Sequence, residues 1–202
     1  ITNAYALWVD AGKVRFDGAL TVGGALAVTG ALTVGSTAVT GITLAAEQDS
    51  TSGTSIDFTG IPAGVKRITI MLAGVSGNGT SIFVVQIGDA GGIEVAGYDG
   101  AVVSGGTANL YSALGGAGFY LQSTVGAPAA ASTYTAKFVL DLENAAAFRW
   151  VGSGVIGRVD TSAEVSTGVG NKALSAELDR VRVTTRNGTD AFDAGAISIS
   201  YE

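Results

Sequence analysis

The chain of 202 residues contains no cysteine and no histidine. Without cysteine there is no disulfide, no thiolate nucleophile and no zinc site of the usual thiolate kind. Without histidine the commonest general base, proton shuttle and metal ligand is missing. Catalysis would have to rest on carboxylates, hydroxyls, lysine or arginine, and no cofactor or metal is expected. Charge is scarce as well: Lys+Arg is 11 against Asp+Glu 17, a net charge of −6, and only 14% of residues are charged. A sparsely charged acidic chain suits a phosphate backbone badly, because that partner needs a basic surface. No nucleic-acid partner is therefore expected. The opening residues from Ile1 lack the basic-then-apolar pattern of a secretory leader.

Proline is nearly absent, with 2 residues, whereas glycine reaches 31 and hydrophobic residues 47%. Average usage is about 7% glycine and about 5% proline, so glycine is roughly doubled. So apolar a chain is not disordered by composition. Its wealth of Val, Thr and small residues fits closely packed β structure better than helix.

Residues 18–46 carry no charge. A run of that length has to be weighed against a membrane span, which needs about 20 apolar residues. Six Thr, one Ser and six Gly interrupt it, and neither aromatic residues nor a basic cluster mark an interface. No membrane insertion is expected. The run reads Gly18-Ala-Leu-Thr-Val-Gly, Gly24-Ala-Leu-Ala-Val-Thr, Gly30-Ala-Leu-Thr-Val-Gly and a looser Ser36-Thr-Ala-Val-Thr-Gly. Steps of six scatter leucines around a helix but keep register on a strand, whose side chains alternate with period two. Leu20, Val22, Leu26, Val28, Leu32 and Val34 are all even-numbered, and the same parity takes in Val14, Phe16, Ala38, Ile42, Leu44 and Ala46. The odd face carries Thr21, Thr29, Thr33, Thr37 and Thr43 among Ala and Gly, with Val39 as the exception.

Such an amphipathic ribbon cannot cover its own apolar edge, since a repeat unit needs neighbours to do so. Three parallel copies wound about one axis would bury Leu20, Val22, Leu26, Val28, Leu32 and Val34 as a trimer seam. A collagen helix is excluded by the lack of glycine at every third residue. A single-chain β-solenoid would also keep the register. Five hexads are few for one standing alone, so the intertwined shaft over residues 1–50 is the expectation.

After the polar stretch Gln48-Asp-Ser-Thr-Ser-Gly-Thr, read as a hinge, aromatic and charged residues return. Residues 51–202 suffice for one core. Strands are predicted at Lys66–Val75, Ser81–Gly88, Gly118–Gln122, Tyr134–Leu142, Phe148–Ile156, Leu178–Arg186 and Gly195–Tyr201. Ile68, Ile70 and Leu72 share one face, as do Val181 and Val183, and Ile197, Ile199 and Tyr201. One buried and one wetter face per strand implies antiparallel sheets. Seven or eight strands at this spacing suggest a β-sandwich or jelly roll. Gly77-Asn-Gly79 reads as a hairpin turn between two strong strands. Residues 99–133 and 152–172 read as long loops rich in Gly, Ala and Ser. A short helix at 145–148 has no cap pattern to support it.

The opening stretch Ile1-Thr-Asn-Ala-Tyr-Ala-Leu-Trp-Val-Asp-Ala-Gly-Lys-Val-Arg-Phe-Asp-Gly, followed by the hexads, resembles the repetitive shaft segments of bacteriophage tail fibre proteins. Thr54-Ser-Ile-Asp-Phe-Thr-Gly-Ile-Pro-Ala-Gly-Val-Lys-Arg-Ile-Thr-Ile-Met-Leu, Leu178-Asp-Arg-Val-Arg-Val-Thr-Thr-Arg-Asn-Gly-Thr-Asp and the closing Phe192-Asp-Ala-Gly-Ala-Ile-Ser-Ile-Ser-Tyr-Glu are similar to the C-terminal heads of such fibres. The resemblance implies a homotrimeric, non-catalytic virion component, joined to other virion proteins upstream, whose head contacts a glycan or protein receptor on the host bacterium. It supplies no named receptor residues.

Aromatic rings on loops commonly stack on sugars or anchor partners, which makes Tyr98, Tyr111, Tyr120 and Trp150 the candidate receptor contacts. Two other functions stay open at this point. One is a capsid-attached head fibre or decoration protein. The other is a glycan-cleaving enzyme of the tailspike type, with Asp141 and Glu143 or Asp190 and Asp193 as its paired acids. Asp89-Ala-Gly-Gly-Ile-Glu94 and Asp190-Ala-Phe-Asp193 offer oxygen ligands for Ca²⁺ but lack EF-hand spacing, and read as hydrogen-bonding corners.

Overall fold

A computed structural model describes residues 17–24, 27–30, 33–34, 37–38, 41–105, 110–123, 129–160 and 163–202, with the backbone alone at 33–34, 37–38 and 110–114. The chain divides into two units, Ile1–Thr40 and Gly41–Glu202.

In the first unit β1 (Thr33–Val34) pairs antiparallel with β2 (Thr37–Ala38), with Thr33 opposite Ala38. Over this stretch the hexads pair within one chain instead of running on as one extended ribbon. Leu20, Val22 and Val28 are 58, 44 and 45% exposed. Leu26 and Leu32 lie outside the described residues, and the side chain of Val34 does too.

The second unit is antiparallel throughout, and no helix occurs among the described residues. Its first strands are short: β3 (Thr43–Leu44), β4 (Gln48–Asp49) and β5 (Ser55–Thr59). Then come β6 (Arg67–Gly77), β7 (Phe83–Asp89), β8 (Gly92–Ile93), β9 (Asp99–Gly105), β10 (Leu110–Gly115) and β11 (Phe119–Tyr120). The chain closes with β12 (Tyr134–Asn144), β13 (Arg149–Arg158), β14 (Glu164–Ala173), β15 (Leu178–Thr185) and β16 (Phe192–Tyr201). The larger sheet runs β10-β9-β14-β13-β12-β6-β16-β3, with β4 also on β16. The smaller runs β11-β7-β15-β5, with β8 on β7.

Alternation decides which faces meet. Ile68, Ile70 and Leu72 of β6, Phe138 and Leu140 of β12, and Ile197 and Ile199 of β16 are all buried. They join Ile56, Phe58, Val85, Ile87, Val181 and Val183 of the smaller sheet in one apolar core. The architecture is thus sandwich-like, with two sheets sharing an interior. The Phe83 and Phe192 rings stack at 5.7 Å, and Phe119 stands edge-on to Tyr98 at 5.1 Å.

Beyond β12 the larger sheet keeps going, although the smaller one ends at β11. At mid-strand its inward positions there are glycines, Gly152 and Gly154 on β13 and Gly168 and Gly170 on β14, flanked by Trp150, Ile156, Ser166 and Lys172. The glycines let backbone come close to the rings. A Cβ at Gly168 would stand 2.8 Å from the Tyr120 carbonyl oxygen, and one at Gly170 3.1 Å from the Phe119 ring. The sheet curls past β11, so that Val102 joins Ile82, Val84 and Tyr120 in a second cluster.

Three expectations change. The Gln48–Thr54 stretch is not a free hinge. Gln48 and Asp49 pair with β16, the Ser50 N–H donates to the Gly195 carbonyl at 2.9 Å, and the Ser50 hydroxyl donates to Ala194 at 2.9 Å. The contact boundary accordingly falls at Thr40/Gly41 rather than at 50/51. Gly77-Asn-Gly79 does not turn a hairpin, since β6 and β7 lie in different sheets. Asn78 is instead tied to Ala191 from both its backbone N–H and its side-chain oxygen, each at 2.9 Å. Residues 99–133 and 152–172 are not simply loops but hold β9, β10, β11, the end of β13 and most of β14. Residues 145–148 form a turn, with the Asn144 Oδ1 accepting the Ala146 and Ala147 N–H groups at 3.0 and 3.1 Å.

Candidate interaction surface

The aromatic candidates sit inside. Tyr98, Tyr120 and Trp150 are 3, 8 and 3% exposed, so none presents a ring to a receptor, and the expectation of loop aromatics at the surface is corrected. The physical reason is that each ring is taken into an apolar cluster, Tyr98 and Trp150 into the main core and Tyr120 into the second cluster with Ile82, Val84 and Val102. The polar tip of Tyr98 is satisfied internally: its hydroxyl accepts the Ile87 N–H and donates to the Glu94 carbonyl, both at 2.8 Å. Burial pushes that phenol well above its ordinary range. The Tyr111 backbone pairs with Ser104, and its side chain lies outside the described residues.

Of the acidic candidates, Asp141, Glu143 and Asp190 are committed to partners, and Asp193 lies exposed on β16. Asp141 accepts from Arg67 at 2.7 Å, and Glu143 from Arg149 at 2.6 Å. The Arg149 hydrogen bond holds the Glu143 carboxyl below its usual range, the reverse of what a general acid requires. Asp190 accepts the Ser81 N–H at 2.8 Å and the Asn187 amide at 2.6 Å, and so fixes two turns. Asp89 is 5% exposed, accepting from the Ser175 hydroxyl at 2.5 Å and the Gly91 N–H at 2.8 Å. Glu94 pairs with Lys172, whose ammonium lies 5.5 Å from the Tyr98 ring centre. Among the described residues there is no cluster of three or more metal-ligating side chains.

The feature the sequence reading missed is the outer face of the larger sheet. Strand pairing lines up Val103, Thr167, Val155, Lys137, Met71 and Ser198 in one row. The next row holds Ala101, Val169, Ser153, Val139, Thr69 and Ser200, with Leu44 opposite Ser200 at the edge. In the middle of β13 and β14 glycines point in and valines point out, although Trp150 and Ile156 also point inward on β13. Val155, Val165 and Val169 are 51, 57 and 57% exposed, and Ile42 and Leu44 reach 71 and 68%. A cavity of about 390 Å³ lies where Ile42 stands beside Thr69, Val139 and Ser200, with Arg67, Lys137, Tyr201 and Glu202 completing its lining. The signal was present in Val151-Gly-Ser-Gly-Val155 and Val165-Ser-Thr-Gly-Val169-Gly, which alternate with period two. Small or polar residues at the inward positions of β14, namely Ser166, Gly168 and Gly170, hid that strand.

The two ends of this unit differ. The row Asp99, Asn171, Val151, Asp141 and Arg67 marks one end of the sheet, and the Arg67 guanidinium also reaches Glu202 at 3.2 Å. The chain comes into the unit at that end, with Thr43 paired to Tyr201 and Tyr201 to Ile68. The connections after β9, β11 and β13 leave from the opposite end, marked by Gly105, Val165, Gly157 and Thr135. No family model, no curated protein and no solved structure matches this chain.

Proposed function

We propose that this chain is the distal part of a bacteriophage tail fibre, a homotrimer on the virion whose hexads form a three-chain shaft and whose sandwich is a receptor-binding head. It acts by multivalent adhesion to a glycan or protein of the bacterial surface, without catalysis. The observation that carries the reading is the uncovered apolar row of the hexads, with Leu20, Val22 and Val28 at 58, 44 and 45% exposure on the single chain. A row repeated every six residues is covered when copies of the chain wind together. Folding is then tied to assembly, and three weak sites on one head gain avidity from their shared effective concentration.

The head reading has its own support. Counted from β4, successive core strands change sheet at every step except β7 to β11, which both lie in the smaller sheet. The order β4-β16-β6-β12 stands against β5-β15-β7-β11, with β9–β10 and β13–β14 as added hairpins. That order supports the jelly-roll reading of the head. The connections after β9, β11 and β13, at the end opposite to where the chain comes in, are where this reading puts receptor contact. The ion pairs of Asp141 and Glu143 with arginines favour adhesion over glycan cleavage.

Light scattering tests the assembly, with a mass near three times 20.0 kDa expected. The purified chain should bind bacterial cells or their isolated surface polysaccharide without releasing reducing ends. A clean monomer overturns the three-chain shaft, and release of reducing ends overturns the non-catalytic mechanism. Antibody labelling of virions should decorate the tail; labelling of the capsid shell would move the fibre there.

A further inference from the structure

We propose that the outer face of the larger sheet is a contact between heads, covered by a second copy of this chain; the inference rests on the trimer reading above. The first argument is the middle of β13 and β14, where valines face out opposite inward glycines even though Trp150 and Ile156 keep apolar bulk inside at the flanks of β13. In a one-copy sandwich the inward positions carry the large apolar side chains and the outward ones the polar side chains. Here Gly152, Gly154, Gly168 and Gly170 face in, whereas Val155, Val165 and Val169 face out at 51, 57 and 57% exposure. Contiguous outward valines mark a surface that something else covers.

The charge pattern selects the partner. Two copies of a chain with net charge −6 repel unless the touching surfaces are free of carboxylates. The two central rows hold no Asp or Glu, and Lys137 is their only charge. No aromatic ring stands in those rows either, so a sugar finds nothing to stack on. The size suits the task. Seven strands from β9 to β3 at about 4.8 Å spacing, and about six residues of strand length, give about 600 Å² per copy, the lower end of specific interfaces. Chains already held together by the hexads need no more than that. Ile42 and Leu44 extend the apolar character of this face to its β3 edge, at 71 and 68% exposure.

The absence of cysteine makes a clean test available in the full chain. Ser153→Cys places one thiol at the centre of the face, where a hydroxyl is already exposed, and Ser52→Cys places one off it. A short bismaleimide should join copies through Cys at 153 but not at 52. Adding Val155→Glu and Val169→Glu should reduce that cross-link to background while the light-scattering mass is unchanged. An oligomer whose 153 thiols stay unlinked overturns this contact and leaves the trimer standing. Equal linking at both positions reports random collision and also overturns it. Unlinked 153 thiols that bacterial polysaccharide shields from maleimide overturn it in favour of a receptor site. A monomer at every concentration overturns both readings. Linking at 153 that survives Leu26→Asp with Leu32→Asp supports the head contact even where the shaft fails.

Discussion

Gly152 supports the Phe138 ring: a Cβ added at this glycine would stand 2.7 Å from two carbons of that ring. At Gly154 the conflict is with backbone, because the added carbon meets the Lys137 carbonyl and stands 2.7 Å from the Phe138 Cα. A ring can shift by a few tenths of an ångström, but a paired strand cannot. Gly154→Ala should therefore cost about 2–3 kcal/mol, and Gly152→Ala about 1–2 kcal/mol. Gly157→Ala is the control, since the nearest atom lies 3.8 Å away. It should change stability by less than about 0.5 kcal/mol. Urea unfolding of the three variants checks the order.

The Lys172–Glu94 pair is asymmetric. The Lys172 side chain is 7% exposed and that of Glu94 25%. Glu94→Gln strands an ammonium inside the sandwich, whereas Lys172→Met leaves a carboxylate that still accepts the Ser175 N–H at 2.9 Å and reaches water. The first change should cost about 3 kcal/mol or more and the second clearly less. Equal losses in chemical denaturation would contradict this assignment.

Acid should unfold the second unit in steps that can be attributed. The Ser175 hydroxyl, then the Gly91 N–H, hold Asp89 below its ordinary range, and the Arg180 hydrogen bond does the same for Asp179. Burial works against ionisation of Glu94, yet its bonds to Lys172 and Ser175 lower it too. Each lowered carboxylate binds fewer protons folded than unfolded, so its stabilisation is complete above the unfolded value of about 4 and is lost as pH falls through the folded value. The urea midpoint should drop between about pH 5 and about pH 3, and Ser175→Ala should flatten that drop.

Glu164 has the opposite sign. Burial raises its carboxyl above the ordinary range. The folded state then favours the protonated form, a preference that helps at low pH and is lost as pH rises through the folded value. Glu164→Gln should raise the midpoint at neutral pH, and the gain should vanish below about pH 4. Paired melts at the two pH values measure it.

The hexad seam makes a separate prediction. Leu26→Asp together with Leu32→Asp should dissociate the assembly, read as a fall in light-scattering mass. An unchanged mass and melting temperature would show that these leucines face away from the seam.

How much of this was legible depended on where the large side chains sit. Ile68, Ile70 and Leu72 announced β6, and Val181 and Val183 announced β15, because their apolar residues alternate and all five are buried. The pattern in β14 was misread because its inward residues are Ser166, Gly168, Gly170 and Lys172, none of which looks like a core residue. Gln48–Thr54 looked like a linker because Ser50 is small and polar, yet Ser50 is 0% exposed and bonded twice to the last strand. Trp150 and Tyr98 looked like surface anchors, and nothing local says otherwise. Tyr98 is buried against Phe119, Lys172 and the Ile87 and Glu94 backbone, and Trp150 beside Val65, Leu142 and Leu178, neighbours that only the tertiary fold brings near. The acidic pairs were misleading for a similar reason, since Arg67 meets Asp141 across two strands and 74 positions of sequence.

The strap formed by β3 and β4 on β16 has a mechanical consequence. A pull on Gly41, resisted at the opposite end of the sandwich, acts along the strands, because Thr43 lies opposite Tyr201 while Gln48 lies opposite Ile197. The bonds from Ala45 to Ile199 and from Ser50 to Gly195 are then sheared in parallel instead of being peeled one after another. A load applied through Gly41 would thus be shared across the whole strap, and the weakest single bond would not set the force this unit withstands.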